Sequence, residues 1–367
     1  MPYIPLVKDR LGLNDGTLGL TLLGAPVGAV LAILGVGAMT ARWGSRPVVL
    51  GAVIGYGGAA SLLGVAGTAP WLFATLALWG GCQGAMDVAM NAQAVRVEKG
   101  YGWPVMSSFH AWWSLGGFTG TGIGMLGVAL DVPMALHLGI VGGTATVLVF
   151  AVSIRMLRDD GDGGSGDDVP ERRGNALRTL ARDKRLLVLG LLMLAALLCE
   201  GAAADWAAIY FTDSLDTSTA LAGSGYGVFA VAMFVGRALG DRWVAAYGAR
   251  RVVRLLAATA AVVLTVALLV GHPVAAWFGF ATLGLGLACA VPVVFSAAAA
   301  LQGLHPARGI AAVSAAAWPA FLLGPPIIGG LAHVTSLTLA LYVLPVLCAA
   351  MAVGATVLDG RRETPTQ

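Results

Sequence analysis

The chain is 367 residues long, 58% hydrophobic and only 11% charged, with a mean hydropathy of +0.83. Soluble globular chains carry roughly a quarter charged residues, so the composition excludes a soluble domain and, with it, a nucleic-acid partner; it is that of a membrane protein. The net charge of +3 decides nothing, because in a membrane protein the placement of charge outweighs its sum.

Residues 1–15 hold no basic stretch followed by an apolar run, so they are no signal peptide; they are expected to form a loop on the outer side. From there, continuous apolar runs of about 20 residues, long enough to cross a hydrocarbon core about 30 Å thick, predict helices at 17–39, 48–67, 71–96, 105–129, 133–156, 186–211, 220–242, 251–270, 274–299, 309–331 and 335–358. A membrane β-barrel would instead alternate in short segments. The expected fold class is therefore an all-α polytopic membrane protein with 11 transmembrane helices, and the 52 Gly and 16 Pro follow the membrane habit of small residues at helix contacts. Basic residues collect in alternate loops, at Arg42 and Arg46, at Arg96 and Lys99, from Arg155 to Arg185, at Arg250, Arg251 and Arg254, at Arg308, and at Arg361 and Arg362. By the positive-inside rule these loops are cytoplasmic. Residues 157–185 are the one long polar stretch and read as a cytoplasmic linker between an N-terminal half, 1–156, and a C-terminal half, 186–367. Cys82, Cys199, Cys289 and Cys348 fall in apolar runs without CxxC spacing. They are expected to be buried free thiols, so no disulfide, metal or other cofactor is implied.

The halves repeat. ATLALWGGC at 74–82 matches ATLGLGLAC at 281–289 at a spacing of about 207, and Gly44-Ser45-Arg46 matches Gly248-Ala249-Arg250 at about 204. Shifted back by about 204, the sixth predicted helix falls at about −18 to 7, so the first half is expected to lack the opening helix of a six-plus-six plan. Either the coding start lies further upstream or the chain works with eleven spans.

Two such halves joined by a long cytoplasmic linker resemble the major facilitator superfamily, whose members carry G-x-x-x-D-R-x-G-R-[KR] between the second and third helices. Here Gly37, Arg42, Gly44 and Arg46 keep the first Gly, the Arg, the second Gly and a later basic residue, while Ala41 stands where the family has an acid. The second half keeps an acid, in Gly236-Arg237-Ala238-Leu239-Gly240-Asp241-Arg242 followed by Gly248-Ala249-Arg250-Arg251. The resemblance implies that this loop locks one conformation through charge contacts. From the residues alone, the glycines let helices cross closely and the arginines anchor the cytoplasmic interface. Residues 84–117 are similar to uncharacterised bacterial transporters whose nearer functional relatives include the fucose:proton symporter. That protein has an acid on its fourth helix followed four residues later by Asn, as Asp87 and Asn91 stand here.

An ionised carboxylate at mid-bilayer costs about 2.5–3.5 kcal/mol on insertion scales, which makes an intramembrane acid a functional candidate. Gln83, Asp87 and Asn91 fall at i, i+4, i+8, a single polar stripe on an apolar helix. Gly80 and Gly84 beside it form a small-xxx-small pair that lets a neighbour pack close. The next helix brings Ser107, His110, Ser114 and Thr121. With the turn near 98 or 99, His110 and Asp87 lie equally far from it and are expected at one depth as a proton-sensitive pair. Trp112 and Trp113 suit stacking on a sugar face, and equally an interface anchor. In the second half, Glu200 lies about fifteen residues into its span, with Asp205 and Trp206 nearer the outer end. Five residues turn a helix about 140° past a full turn, so the two acids do not share a face, and Glu200 is the one expected in the cavity. Arg237 and Asp241, at i, i+4 near the inner end, are expected as a gating or structural ion pair. At the 207 spacing Val294 stands opposite Asp87 and Ala298 opposite Asn91, so the polar load is one-sided.

Together these readings predict a secondary active transporter, monomeric and multi-pass in a bacterial plasma membrane, moving a small polar, sugar-like solute by alternating access coupled to protons. Asp87, Glu200 and His110 are assigned to the proton; Gln83, Asn91, Trp113, Ser114, Asp205 and Trp206 to the solute; Gly37, Arg42, Gly44, Arg46, Arg237 and Asp241 to gating at the cytoplasmic loops. The alternatives are a proton-driven exporter of drugs or metabolites and, from another class, a non-transporting sensor or degenerate carrier. Without a nucleophile elbow, P-loop or HExxH motif the chain is not expected to be an enzyme.

Overall fold

The computed structural model describes residues 2–101, 106–157, 180–181, 183–301, 304 and 306–358; most of the predicted linker lies outside the described residues. The longer helices are α1 (Ile4–Leu11), α2 (Asp15–Leu22), α3 (Gly24–Trp43), α4 (Ser45–Val65), α5 (Ala69–Tyr101), α6 (Met106–Ala129), α7 (Met134–Ser153), α8 (Lys184–Ile209), α9 (Ser224–Tyr247), α10 (Ala249–Val270), α11 (Pro273–Ala288), α12 (Ala290–Ala299), α13 (Pro306–Val334), α14 (Leu337–Leu341) and α15 (Val343–Gly354). A π-helical turn, Tyr210–Ser214, continues α8. Among the described residues there is no strand, and eight helical stretches are long and apolar enough to cross a membrane.

Three of the predicted spans are each two helices. Proline explains all three breaks, because it has no N–H for the carbonyl four residues earlier. Pro26 leaves Leu22 without its donor, and α2 ends at Leu22; Pro292 does the same to Ala288, the end of α11, and Pro345 to Leu341, the end of α14. Pro319, Pro325 and Pro326 lie inside α13 without ending it.

Residues 1–15, expected as a loop, contain a helix. Pro5 sits in the first turn of α1, where no donor is needed, and Gly12 at φ 60° closes it in the left-handed conformation. The helix is held by burial of Val7 against Ala66 and Leu72. Arg10 donates to the carbonyls of Gly64 (3.0 Å) and Ala66 (2.9 Å), capping the C-terminal end of α4, and the Tyr3 hydroxyl is hydrogen-bonded to His137 Nδ1 at 2.6 Å.

The chain divides into two compact units, one of Pro2–Trp113 with Ile123–Val169, the other including Ser114–Gly122 and Pro170–Gln367. In the first, α5 packs on α3 and α4, and α7 on α4; in the second, α11 packs on α9 and α10, and α15 on α10, with α8 against α13. The three pairings of the first unit correspond to the first three of the second, with none to match α8 against α13, and the contacts fix their register. A Cβ at Gly80 would run into the carbonyl of Ala25, and one at Gly284 into the carbonyl of Phe229. Gly44 and Gly248 both turn the chain between successive helices at φ 83°. All three correspondences (80 to 284, 25 to 229, 44 to 248) are 204 positions apart, so the structural register is 204, not 207. The counterparts of Gln83, Asp87 and Asn91 are then Leu287, Val291 and Phe295. Positions 294 and 298, paired with Asp87 and Asn91 by the local sequence match, lie three residues out of register.

Candidate functional site

The polar stripe of the first unit sits on α5. Asn91 Nδ2 donates to Asp87 Oδ1 at 3.1 Å and to the Asp87 carbonyl at 2.9 Å, so the amide holds the carboxylate from one turn away. Asp87 is exposed, and Gln83 and Asn91 are half-buried. The expected close packing beside the stripe is present: Gly80 and Gly84 lie against Ala25 and Ala29 of α3, and Gly24 and Gly28 of α3 lie against Phe73 and Ala77 of α5. Backbone approach of this kind is what small residues at helix contacts permit. His110 and Ser114 belong to α6, but their side chains fall outside the described residues, and so does any pairing of His110 with Asp87. Trp113 is on the same helix and exposed.

One residue here was not anticipated. Gln93, 4% exposed, donates through Nε2 to Ser45 Oγ (2.7 Å) and to the Leu157 carbonyl (2.8 Å), tying α5 to the start of α4 and to the end of the α7 segment. It lies two residues past Asn91, roughly 200° round the helix at 3.6 residues per turn, and so off the stripe. The available signal was a long amide on an apolar helix, facing away from the other polar groups.

At the predicted loop motif, Gly37 and Arg42 lie in α3, Arg42 exposed with its guanidinium carbon 6.0 Å from the Trp43 ring centre, and Arg46 is half-buried in the first turn of α4. Gly44 works through its backbone. Its φ of 83° and ψ of 162°, like those of Gly248 (83° and 147°), belong to a region that glycine alone adopts readily. Gly44 and Gly248 are turns, while the close crossing expected of the motif's glycines is made by Gly236 and Gly240 of α9, where a Cβ would meet Ala288 and Cys289.

In the second unit Arg237 of α9 reaches Glu200 of α8, Nη2 to Oε2 at 3.6 Å, with both side chains partly exposed. This contact joins two helices, whereas the expected pair, Arg237 with Asp241, would run along one; Asp241 is exposed. Tyr226, three turns before Arg237 on α9, is within electrostatic reach of Glu200, Asp205 and Arg237. The two acids diverge on α8, as their spacing requires, yet both act on one phenol, which the helix wheel alone does not reveal. A side chain built at Gly117 of α6 would lie 3.6 Å from the Tyr226 hydroxyl, so the 114–122 segment of the same unit runs past this group. Trp206 is fully buried. Its Nε1 and the Tyr210 hydroxyl have no hydrogen-bond partner among the described residues, and it lines no open surface.

Chemically, the first unit offers a carboxylate able to exchange a proton and amides suited to hydroxyl groups; the second, by itself, offers carboxylates, a phenol and a guanidinium. Among the described residues no cluster of three or more His, Cys, Asp or Glu could hold a metal ion.

The comparisons agree with this architecture. The sequence profile described as Major Facilitator Superfamily matches residues 1–303. An uncharacterised MFS-type transporter of Yersinia pestis is 35% identical over 344 residues, 92% of this chain and 86% of that protein. Among solved structures, a D-xylose-proton symporter superposes with a TM-score of 0.73 at 12% identity, covering 96% of this chain and 91% of that one. The fucose:proton symporter of E. coli superposes with a TM-score of 0.55 at 13% identity, covering 94% and 98%. At such identities the structures speak for the fold, and the profile and the relative for the family. The chain belongs to the major facilitator superfamily and is a multi-pass membrane transporter, consistent with a bacterial inner membrane, and not an enzyme.

Proposed function

We propose that this transporter carries a small polar organic solute, sugar-like in its hydroxyl groups, in symport with protons. Asp87 takes up the proton, with Glu200 and His110 as the other titrating groups. Gln83, Asn91, Trp113, Ser114 and Asp205 contact the solute; Trp206, inside the packing, is the weakest of the assigned contacts. Residues 1–156 and 186–367 act as two halves, eleven spans in all, that alternate access around the site in a monomer, with Arg42, Arg46, Arg237 and Asp241 at the gates.

The observation that carries this reading is the Asp87–Asn91 pair. A carboxylate within an apolar helix must face protein or water, and here an amide from the next turn donates to it. Solute arriving at Asn91 competes for the amide that holds the carboxylate, which couples solute to proton. The sugar-proton symporters that share the fold support the substrate class. The experiment is uptake into proteoliposomes with a panel of sugars, polyols and small acids, with and without an inward acid gradient. For a transported solute, Asp87→Asn should abolish acceleration by the gradient while leaving solute exchange at equal pH. Unchanged gradient dependence in Asp87→Asn would overturn the assignment.

A further inference from the structure

The transport reading leaves the buried thiols Cys199, Cys289 and Cys348 unused, and two of them lie together. Cys199 on α8 and Cys348 on α15 are each 0% exposed, and the two thiols are neighbours in the packing between these helices. Independent geometry places them together. The Cys199 thiol lies 3.8 Å from the carbonyl of Leu344, one turn before Cys348 on the same helix face. The helices run close here because Gly354 lies on Leu192, its missing Cβ leaving 3.0 Å to Leu192 Cδ2. Seven residues along α8 and six back along α15 lead from that contact to the two cysteines, as an antiparallel pair requires.

We infer that Cys199 and Cys348 form a closed two-thiol site for a soft divalent metal ion that prefers linear two-coordination, of which mercury(II) is the probe. Three features select this class. No third His, Cys, Asp or Glu joins the pair among the described residues, so the four ligands of a structural zinc site are not supplied. Thiolates are soft ligands and select soft ions. The surroundings are apolar, where an unpaired charge is costly. A divalent ion bound to two thiolates is neutral, whereas a monovalent ion would leave one negative charge. The reaction balances without an oxidant: HgCl2 and two R–SH give R–S–Hg–S–R and two HCl. Two S–H and two Hg–Cl bonds break and two Hg–S bonds form. HgCl2 is uncharged and enters the lipid phase. Metal–thiolate bonds of about 2.3 Å each suit two neighbouring thiols on facing helices.

The test uses the full chain in detergent or nanodiscs with Cys82→Ser and Cys289→Ser, or the Ala pair if the Ser pair does not fold, so that only the two thiols remain. Titration with HgCl2 should give one mercury per chain, a mass gain of one Hg less two H, no thiol titratable after denaturation, and a melting temperature raised by several degrees. Adding Cys199→Ser or Cys348→Ser should abolish that rise and leave mercury bound, if at all, with a chloride. Two mercury atoms per chain, or thiols that react only after unfolding, would overturn the site.

Discussion

Gln93 shows how much one buried amide can decide. Both of its N–H donors are used, on the Ser45 hydroxyl and the Leu157 carbonyl. Gln93→Leu keeps the bulk and removes both hydrogen bonds, so it should cost about 1–3 kcal/mol, read as a lower denaturation midpoint of the detergent-solubilised protein. Ser45→Ala should cost less, because the Leu157 carbonyl keeps its donor. A second residue, Tyr3, links stability to pH. Burial pushes its phenol above the ordinary value, so the folded state holds that proton more tightly than the unfolded one. Its contribution is complete below about pH 10, the unfolded value, and is lost as pH rises through the folded one. The wild-type chain should therefore lose melting temperature more steeply above pH 10 than Tyr3→Phe does; equal slopes would contradict the assignment. Residues differ in how legible they are for a physical reason. Asp87 and Asn91 could be read from spacing because four residues make one helical turn. Gln93 and Glu200 could not, because their partners, at 45, 157 and 237, become neighbours only when helices pack.

At the scale of elements, the apolar runs located the helices and proline set their breaks. The three runs that are two helices each contain Pro26, Pro292 or Pro345, and each break falls four residues before it. The breaks were legible in principle, since the missing donor is local; hydropathy passes over them because proline does not interrupt an apolar average. Helix pairing was legible only at the small-xxx-small pair of Gly80 and Gly84, and the contacts divide the glycines sharply. A Cβ at Gly28 or Gly80 collides with the backbone of Ala77 or Ala25, whereas one at Gly58, on α4, meets nothing within 4 Å. Gly28→Ala and Gly80→Ala should each destabilise by about 1–3 kcal/mol through overpacking against backbone that has no rotamer to change. Gly58→Ala should stabilise by about 0.5–1 kcal/mol, since alanine loses less entropy in a helix. Thermal unfolding of the three variants in one detergent tests the contrast in sign.

For the whole molecule, the repeat is a statement about symmetry and its breaking. Equivalent contacts recur 204 residues apart, yet the helix with Asp87 and its counterpart differ in two ways. The counterpart of Asp87 is Val291, and α5 runs unbroken from Ala69 to Tyr101 while its partner breaks at Cys289, two residues before Val291. The break comes from Pro292, for which the first half has Val88. Position 291 thus follows a break in the helix, and Phe295 in place of Asn91 removes the amide that would hold a carboxylate there. If coupling depends on an acid held by the next turn of a continuous helix, moving the acid to the other half cannot restore it. Asp87→Asn with Val291→Asp should therefore remain as insensitive to an acid gradient as Asp87→Asn alone, in the same proteoliposome uptake assay. Adding Phe295→Asn should not rescue it either, because the break remains. Gradient-driven uptake recovered by Val291→Asp would mean that coupling needs only a carboxylate in either half, and that the asymmetry of the repeat is incidental to it.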